Sequence, residues 1–329
     1  MPQLRQNIIT GEWVVIAPER AKRPIEFVSA TEPKTKTEEH CVFCPYSANY
    51  KKERLHHYET DNIYVIPNKF PAFVENPHLC QPRSYQVENN FFTAKPALGG
   101  HDVVVIKDHT LSPGQFSATL WKDLFVIFRH RYKHYDKVCN VQSTIAIYNN
   151  KSAAGASIVH PHAQIFASSI IPNLVSRELH ETSDYWERNG ISAFEKLVVH
   201  ERLFKHRVIY ENDHFLAFTQ YAAKYPFETW IVPKIQRSHF EHASNLELAA
   251  AAITMHKVIG KLDNILKNPA FNLYIHSAPH TLGRLDYYRW HIEIAPRLST
   301  FGGYELGSGM VIDTISPEIA ADFLNGKAT

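Results

Sequence analysis

The chain has 329 residues, 44% of them hydrophobic, enough to bury a substantial core in one large domain or two modest ones. Thirty-five Lys and Arg against thirty-three Asp and Glu leave a net charge near +2, which excludes the broad basic field of a nucleic-acid or anionic-membrane binder. No run approaches the roughly eighteen apolar residues of a membrane span, and the opening Met1-Pro2-Gln3-Leu4-Arg5-Gln6 lacks an apolar signal core, so the expected compartment is the cytoplasm.

Runs of β-branched and aromatic residues predict strands at Trp13–Ile16, Ile63–Ile66, Asp102–Ile106, Thr144–Tyr148 and Ile165–Ala167. Thr31–His40, rich in Lys, Thr and Glu, reads as a surface loop. Cys41 and Cys44 form a C-x-x-C pair, whereas Cys80 and Cys139 read as packing residues. Ser112-Pro113 predicts a helix start, and Phe116, Leu120, Leu124, Ile127 and Phe128 recur at helical spacing as a core stripe.

The second half repeats this order, with strands at Phe215–Phe218 and Thr229–Val232, a helix over Asn245–Leu266, and strands at Phe271–Ile275 and His291–Ile294. Phe70-Pro71 is echoed by Tyr225-Pro226. The expectation is therefore an α+β fold built by duplication, with antiparallel sheets and one helix for each group of strands. The join is expected near Asp184–Ser192, dividing the chain into residues 1–188 and 189–329.

The chemistry concentrates in Ser157-Ile158-Val159-His160-Pro161-His162-Ala163-Gln164-Ile165-Phe166. On an extended strand His160, His162 and Gln164 face one way, beside strongly apolar neighbours. Imidazole is nucleophilic and partly neutral at pH 7, and its phosphoramidate can hand a phosphoryl group onward, which suits His162 as nucleophile. Gln164 can donate an amide N–H to a phosphate oxygen without acting as a base that activates water. Gly155-Ala156-Ser157 offers small residues where backbone can approach a phosphate, with the Ser157 hydroxyl as a further donor. The twenty histidines invite metal or phosphoryl chemistry without locating it. The Cys41/Cys44 pair reads as half of a four-ligand metal site, since no second C-x-x-C exists and no thioredoxin-like helix follows it.

His160-Pro161-His162-Ala163-Gln164 resembles the H-P-H-x-Q signature of galactose-1-phosphate uridylyltransferases, the transferase branch of the histidine triad superfamily. Thr10-Gly11-Glu12-Trp13, Ala17-Pro18-Glu19-Arg20-Ala21-Lys22-Arg23-Pro24, Asn68-Lys69-Phe70, Asn150 and Gly303-Tyr304-Glu305 match in order, so the resemblance spans nearly the whole chain. It implies two histidine-triad-like halves, a homodimer, and a zinc ion on Cys41, Cys44, His109 and His160 that anchors the strand presenting His162. It also implies that Arg20 and Arg23 reach phosphates, that Asn68 and Phe70 hold the nucleoside, that Asn150 lies near the phosphates, and that Tyr304 and Glu305 read hexose hydroxyls.

The resemblance also maps a second metal set, zinc or iron, onto Glu178, His276, His291 and Glu293, the last standing where the family has a histidine; the same groups read equally as a hydrogen-bonded core cluster without metal. An alternative second site of the wider family is lost, because its C-x-x-C position reads His200-Glu201-Arg202-Leu203 and its later histidine is Arg289. Ser299 and Lys69 also depart from the pattern, replacing a lysine and an aspartate at positions that touch substrate selection. The expected reaction is a ping-pong exchange in which His162 carries a nucleoside monophosphate, with UDP-glucose and galactose 1-phosphate as the leading substrates. A nucleotide-sugar phosphorylase of the ADP-glucose type is the alternative within enzymes, and an inactive zinc-stabilised nucleotide-binding module the alternative outside them.

Overall fold

The computed structural model describes residues 1–22, 38–45, 47, 57–76, 78–80, 85–88 and 91–327. In chain order the strands are β1 (Gln3–Gln6), β2 (Trp13–Ile16), β3 (Tyr58–Glu59), β4 (Ile63–Pro67), β5 (Tyr85–Val87), β6 (Phe92–Ala94), β7 (Gly99–Ile106), β8 (Ser143–Asn150), β9 (His162–Ser168), β10 (Val208–Glu211), β11 (Phe215–Thr219), β12 (Thr229–Pro233), β13 (Phe271–His276), β14 (His291–Pro296) and β15 (Ile312–Asp313). The helices are α1 (Ala118–Tyr135), α2 (Asn173–Asn189), α3 (Ala193–Phe204), α4 (Asn245–Leu266), α5 (Gly303–Ser308) and α6 (Pro317–Leu324).

Ten strands form one antiparallel sheet in the order β10-β11-β12-β14-β13-β8-β9-β7-β4-β3. That order is palindromic. Reading outward from the β8–β13 seam, each strand of the first half meets its counterpart in the second, and α1 and α4 occupy equivalent places between β7 and β8 and between β12 and β13. The duplication expected from the sequence is thus a single continuous sheet, and Phe70-Pro71 and Tyr225-Pro226 follow the equivalent strands β4 and β11.

The period-2 alternation of the strands assigns the two faces. Val104, Ile165, Ala146, Leu273, Ile275, Ile292 and Ile294 meet Trp121, Leu124 and Phe128 of α1 and Met255, Val258 and Leu262 of α4 in the main core. Each fully buried aliphatic or aromatic side chain there contributes about 1.5–3 kcal/mol. The opposite face carries the polar residues His162, Gln164, His291 and Glu293. Over its second half α2 and α3 cover it with Val175, Leu179, Phe194 and Leu197.

Three expectations need correction. Helix α1 starts at Ala118 with Ser117 as its N-cap, accepting Leu120 N–H at 3.1 Å, whereas Ser112-Pro113 opens a separate short turn because Phe116 takes an extended conformation (ψ 124°). Cys80 and Cys139 are joined in a disulfide rather than packed separately, a pairing that a sequence separation of 59 conceals. The helices α2 and α3 occupy the expected join, so the second half has more than one helix. Residues 31–37 of the expected surface loop lie outside the described residues.

Candidate active site

Strand β9 places His162 at its first position, pressed between β7 and β8. The side chain is 7% exposed, and its Nδ1 lies 2.8 Å from the carbonyl of His160. A carbonyl only accepts, so Nδ1 carries the ring proton and Nε2 keeps its lone pair. Burial holds the His162 pKa below the usual imidazole value, which keeps the ring neutral.

His162 lines a cavity of about 310 Å³ together with His109, Tyr148, Asn149, Asn150, Lys151, Ser152, Ala156 and Asn268. Gly155, at φ +88°, turns the chain at this wall in a conformation that favours glycine. Lys151 adopts φ 69° and ψ 166°, a region that non-glycine residues seldom occupy, and its carbonyl accepts the N–H groups of Ala154 and Ala156. Motif reading missed Lys151; the only sequence signal was a lysine directly after Asn150 in a small-residue turn. Asn150 is buried and spends its amide on the Pro269 carbonyl at 2.7 Å, so it holds the wall of the cavity.

Behind His162, the Sγ atoms of Cys41 and Cys44 lie 3.5 Å from His160 Nδ1, Cys44 Sγ lies 3.2 Å from His109 Nδ1, and the two Nδ1 atoms are 2.9 Å apart. Zinc bonds of about 2.3 Å to sulfur and 2.0 Å to nitrogen at tetrahedral angles give S···N edges of roughly 3.5 Å. His160 Nε2 donates to the Ile106 carbonyl at 2.6 Å, so its Nδ1 is an unprotonated donor aimed into the cluster. Two thiols and two imidazoles converging this way fit a metal ion.

The second cluster differs. Glu178, His276, His291 and Glu293 bring ligand atoms within 4.8 Å of one another, all buried. Glu178 binds His276 Nδ1 at 2.7 Å with one oxygen and accepts Tyr288 O–H at 2.7 Å with the other. His291 anchors Nδ1 on the Arg289 carbonyl at 3.0 Å and sets Nε2 3.2 Å from Glu293. Burial alone would lower the His276 pKa, but Glu178 and Glu293 overcome it and raise it to about 9.

Gln164 follows on the same face as His162, and its Oε1 lies 2.9 Å from His101 Nε2, with Asn68 Nδ2 3.1 Å from the same nitrogen. Ser157 is exposed at the turn before His160. Arg20, Asn68, Phe70, Gln164, Tyr304 and Glu305 are not among the residues lining the cavity. Phe70 is 79% exposed and Arg20 lies in an exposed turn. Tyr304 and Glu305 sit on α5, where Glu305 accepts the Gly302 N–H and Tyr304 O–H meets Met310 Sδ. Arg23 lies outside the described residues.

Family models place this chain among known proteins. The N-terminal domain of galactose-1-phosphate uridyl transferase matches residues 1–172, and its C-terminal domain matches residues 178–310. An ADP-glucose phosphorylase from Arabidopsis thaliana is 31% identical over 97% of this chain and 91% of its own length. A galactose-1-phosphate uridylyltransferase from Haemophilus influenzae is 27% identical over 90% of this chain and 84% of its own. The crystal structure of an Arabidopsis thaliana ADP-glucose phosphorylase with bound ADP-glucose superposes with a TM-score of 0.83 at 28% identity, covering 98% of each chain. With both halves matched in order over one palindromic sheet, the chain belongs to the galactose-1-phosphate uridyl transferase family.

Proposed function

We propose that the protein transfers a nucleoside monophosphate from a nucleoside diphosphate sugar to a phosphate-bearing acceptor, with His162 as the covalent carrier. The observation behind this is the anchored Nδ1–H of His162, which leaves Nε2 as the ring atom with a free lone pair, in a residue that lines the cavity. Nε2 attacks the α-phosphorus, a P–N bond forms, and the bond to the bridging oxygen breaks to release sugar 1-phosphate. A phosphate oxygen of the acceptor then attacks the same phosphorus, and His162 leaves as neutral imidazole. Gln164 donates to a non-bridging oxygen and Lys151 supplies local positive charge. The Cys41, Cys44, His109 and His160 cluster holds one zinc ion as structural support. The Glu178, His276, His291 and Glu293 cluster is a second set able to hold a metal ion, and elemental analysis counts one or two ions per chain.

The favoured substrates are ADP-glucose and inorganic phosphate, on the strength of the identity and coverage shared with the Arabidopsis phosphorylase and of the departures at Lys69 and Ser299. The exchange of UDP-glucose with galactose 1-phosphate is the second reading, favoured by the retained Gly303-Tyr304-Glu305. Intact-protein mass spectrometry after mixing with ADP-glucose or UDP-glucose identifies the nucleotide held by the added mass, and turnover with phosphate or galactose 1-phosphate identifies the acceptor. An adduct from neither nucleotide sugar, or one that persists in His162→Asn, would overturn the proposal. We also propose a homodimer, which light scattering tests.

A further inference from the structure

We infer that His101 is a positioning residue that sets which end of the Gln164 amide faces the substrate. The two lie on one face of the sheet, because β7 and β9 pair His101 with Phe166 and Val103 with Gln164, which makes His101 and Gln164 diagonal neighbours. The His101 ring stacks on Phe166 with centroids 4.0 Å apart and is 8% exposed, so it has little freedom to turn.

Side-chain amides and ring tautomers can be drawn two ways, but backbone N–H groups cannot. Two of them settle this network. Ala72 N–H points at His101 Nδ1 at 3.2 Å, so Nδ1 must accept and the neutral ring carries its proton on Nε2. Phe70 N–H points at Asn68 Oδ1 at 2.9 Å, so the Asn68 oxygen is already used and its Nδ2, 3.1 Å from His101 Nε2, cannot receive that proton. Gln164 Oε1, 2.9 Å away, is the acceptor. With its oxygen held by His101, Gln164 keeps its NH2 as the end left to donate, as a contact to phosphate requires. Reversed, the amide would present a lone pair to a phosphate oxygen and repel it. The Asn68–Ala72 turn thereby programmes the polarity of a side chain almost a hundred residues later, and Asn68 N–H donating to the His101 carbonyl at 2.8 Å ties that turn to β7.

This inference rests on the reading of Gln164 as the phosphate donor, and the experiment separates the two. Rapid-quench formation of the nucleotidyl adduct from ADP-glucose is measured for the wild type, Gln164→Ala, His101→Phe and the double variant. Phenylalanine keeps the stack on Phe166 and removes only the ring nitrogens. Gln164→Ala is expected to slow adduct formation roughly a hundredfold and His101→Phe roughly tenfold, with the double variant no slower than Gln164→Ala. A normal rate in Gln164→Ala overturns the role of Gln164 itself. A normal rate in His101→Phe, or a further tenfold loss when it is added to Gln164→Ala, overturns the positioning role. Should His101→Phe fail to fold, ¹⁵N-histidine spectra of the unaltered protein decide: the His101 signal must show a protonated Nε2 and an unprotonated Nδ1, and the reverse tautomer refutes the inference.

Discussion

Replacing Arg289 with methionine tests the duplication at its most loaded point. In the palindrome Arg289 stands where the first half has His160, two residues before the first histidine of the equivalent strand. His160 bonds the Ile106 carbonyl at the end of β7, and Arg289 bonds the Pro233 carbonyl at the end of β12 at 2.9 Å. Its guanidinium also donates to the Lys234 carbonyl at 3.1 Å, to Gln236 Oε1 at 3.1 Å and to Glu195 Oε2 at 2.6 Å. Gln236 follows Pro233 by three residues, as His109 follows Ile106. A fixed guanidinium therefore gathers in the second half the segments that a metal would gather in the first. Arg289 is fully buried. Its removal strands two carbonyls and an amide oxygen at about 1–3 kcal/mol each, partly offset by no longer desolvating a cation, for a net loss of about 3–5 kcal/mol. Urea unfolding should show that loss, with Arg289→Lys intermediate, while metal content and nucleotidylation per folded molecule stay unchanged. A loss below about 1 kcal/mol would refute the argument.

Other consequences are as direct. Cys44→Ser removes one of four converging donors, so bound metal should fall to a small fraction by elemental analysis, and the rate of adduct formation should fall with it because His160 lies two residues before His162 at the entry to β9. Asp313, buried and with one oxygen unpartnered, has its pKa raised by burial and by nearby Glu228 to about 8, far above the unfolded value near 3.9. Folding therefore binds a proton between those values, and stability declines as pH rises through that window and levels above it. Asp313→Asn, which keeps an acceptor for Ile315 N–H, should be more stable by a few kcal/mol at pH 8 and show a smaller advantage at pH 5, measured by urea midpoints.

Nine of the fifteen described strands and α4 were legible because their patterns are local: Asn245–Leu266 is the range expected, opened by a Ser244–Glu247 capping box. The H-P-H-x-Q run was legible because strand alternation places its three polar side chains on one face. What stayed hidden depends on long-range pairing. Helix α2 buries only Val175, Glu178, Leu179 and Thr182, and two of those four are polar, so its stripe is hard to separate from a solvated segment. His101 gave no signal because its partners, Asn68, Ala72 and Gln164, come from two other segments of the chain. The role of Arg289 becomes visible only when the halves are superposed through the sheet order.

The same superposition poses the question of why the proposed carrier is His162 and not His291, which copies it closely. Both open their strand, and both anchor Nδ1 on the carbonyl two residues earlier, at 2.8 Å for His162 and 3.0 Å for His291. Anchoring therefore does not create the nucleophile. The difference is at Nε2. That of His291 faces Glu293 at 3.2 Å, and the ring is fully buried, stacked on Trp230 at 4.6 Å and packed against Phe194 at 5.2 Å. Its lone pair points into the buried Glu178, His276 and Glu293 cluster rather than into a cavity. His162 has Gln164 two residues on, already bonded to His101, and lines the cavity wall. Peptide mapping of the trapped adduct should place all of the nucleotide on the segment containing His162 and none on that containing His291, and His162→Asn should abolish it without rerouting it. Nucleotide recovered on the His291 segment would mean that the buried cluster around its Nε2 opens in solution, and that access to Nε2 is not what distinguishes the two halves.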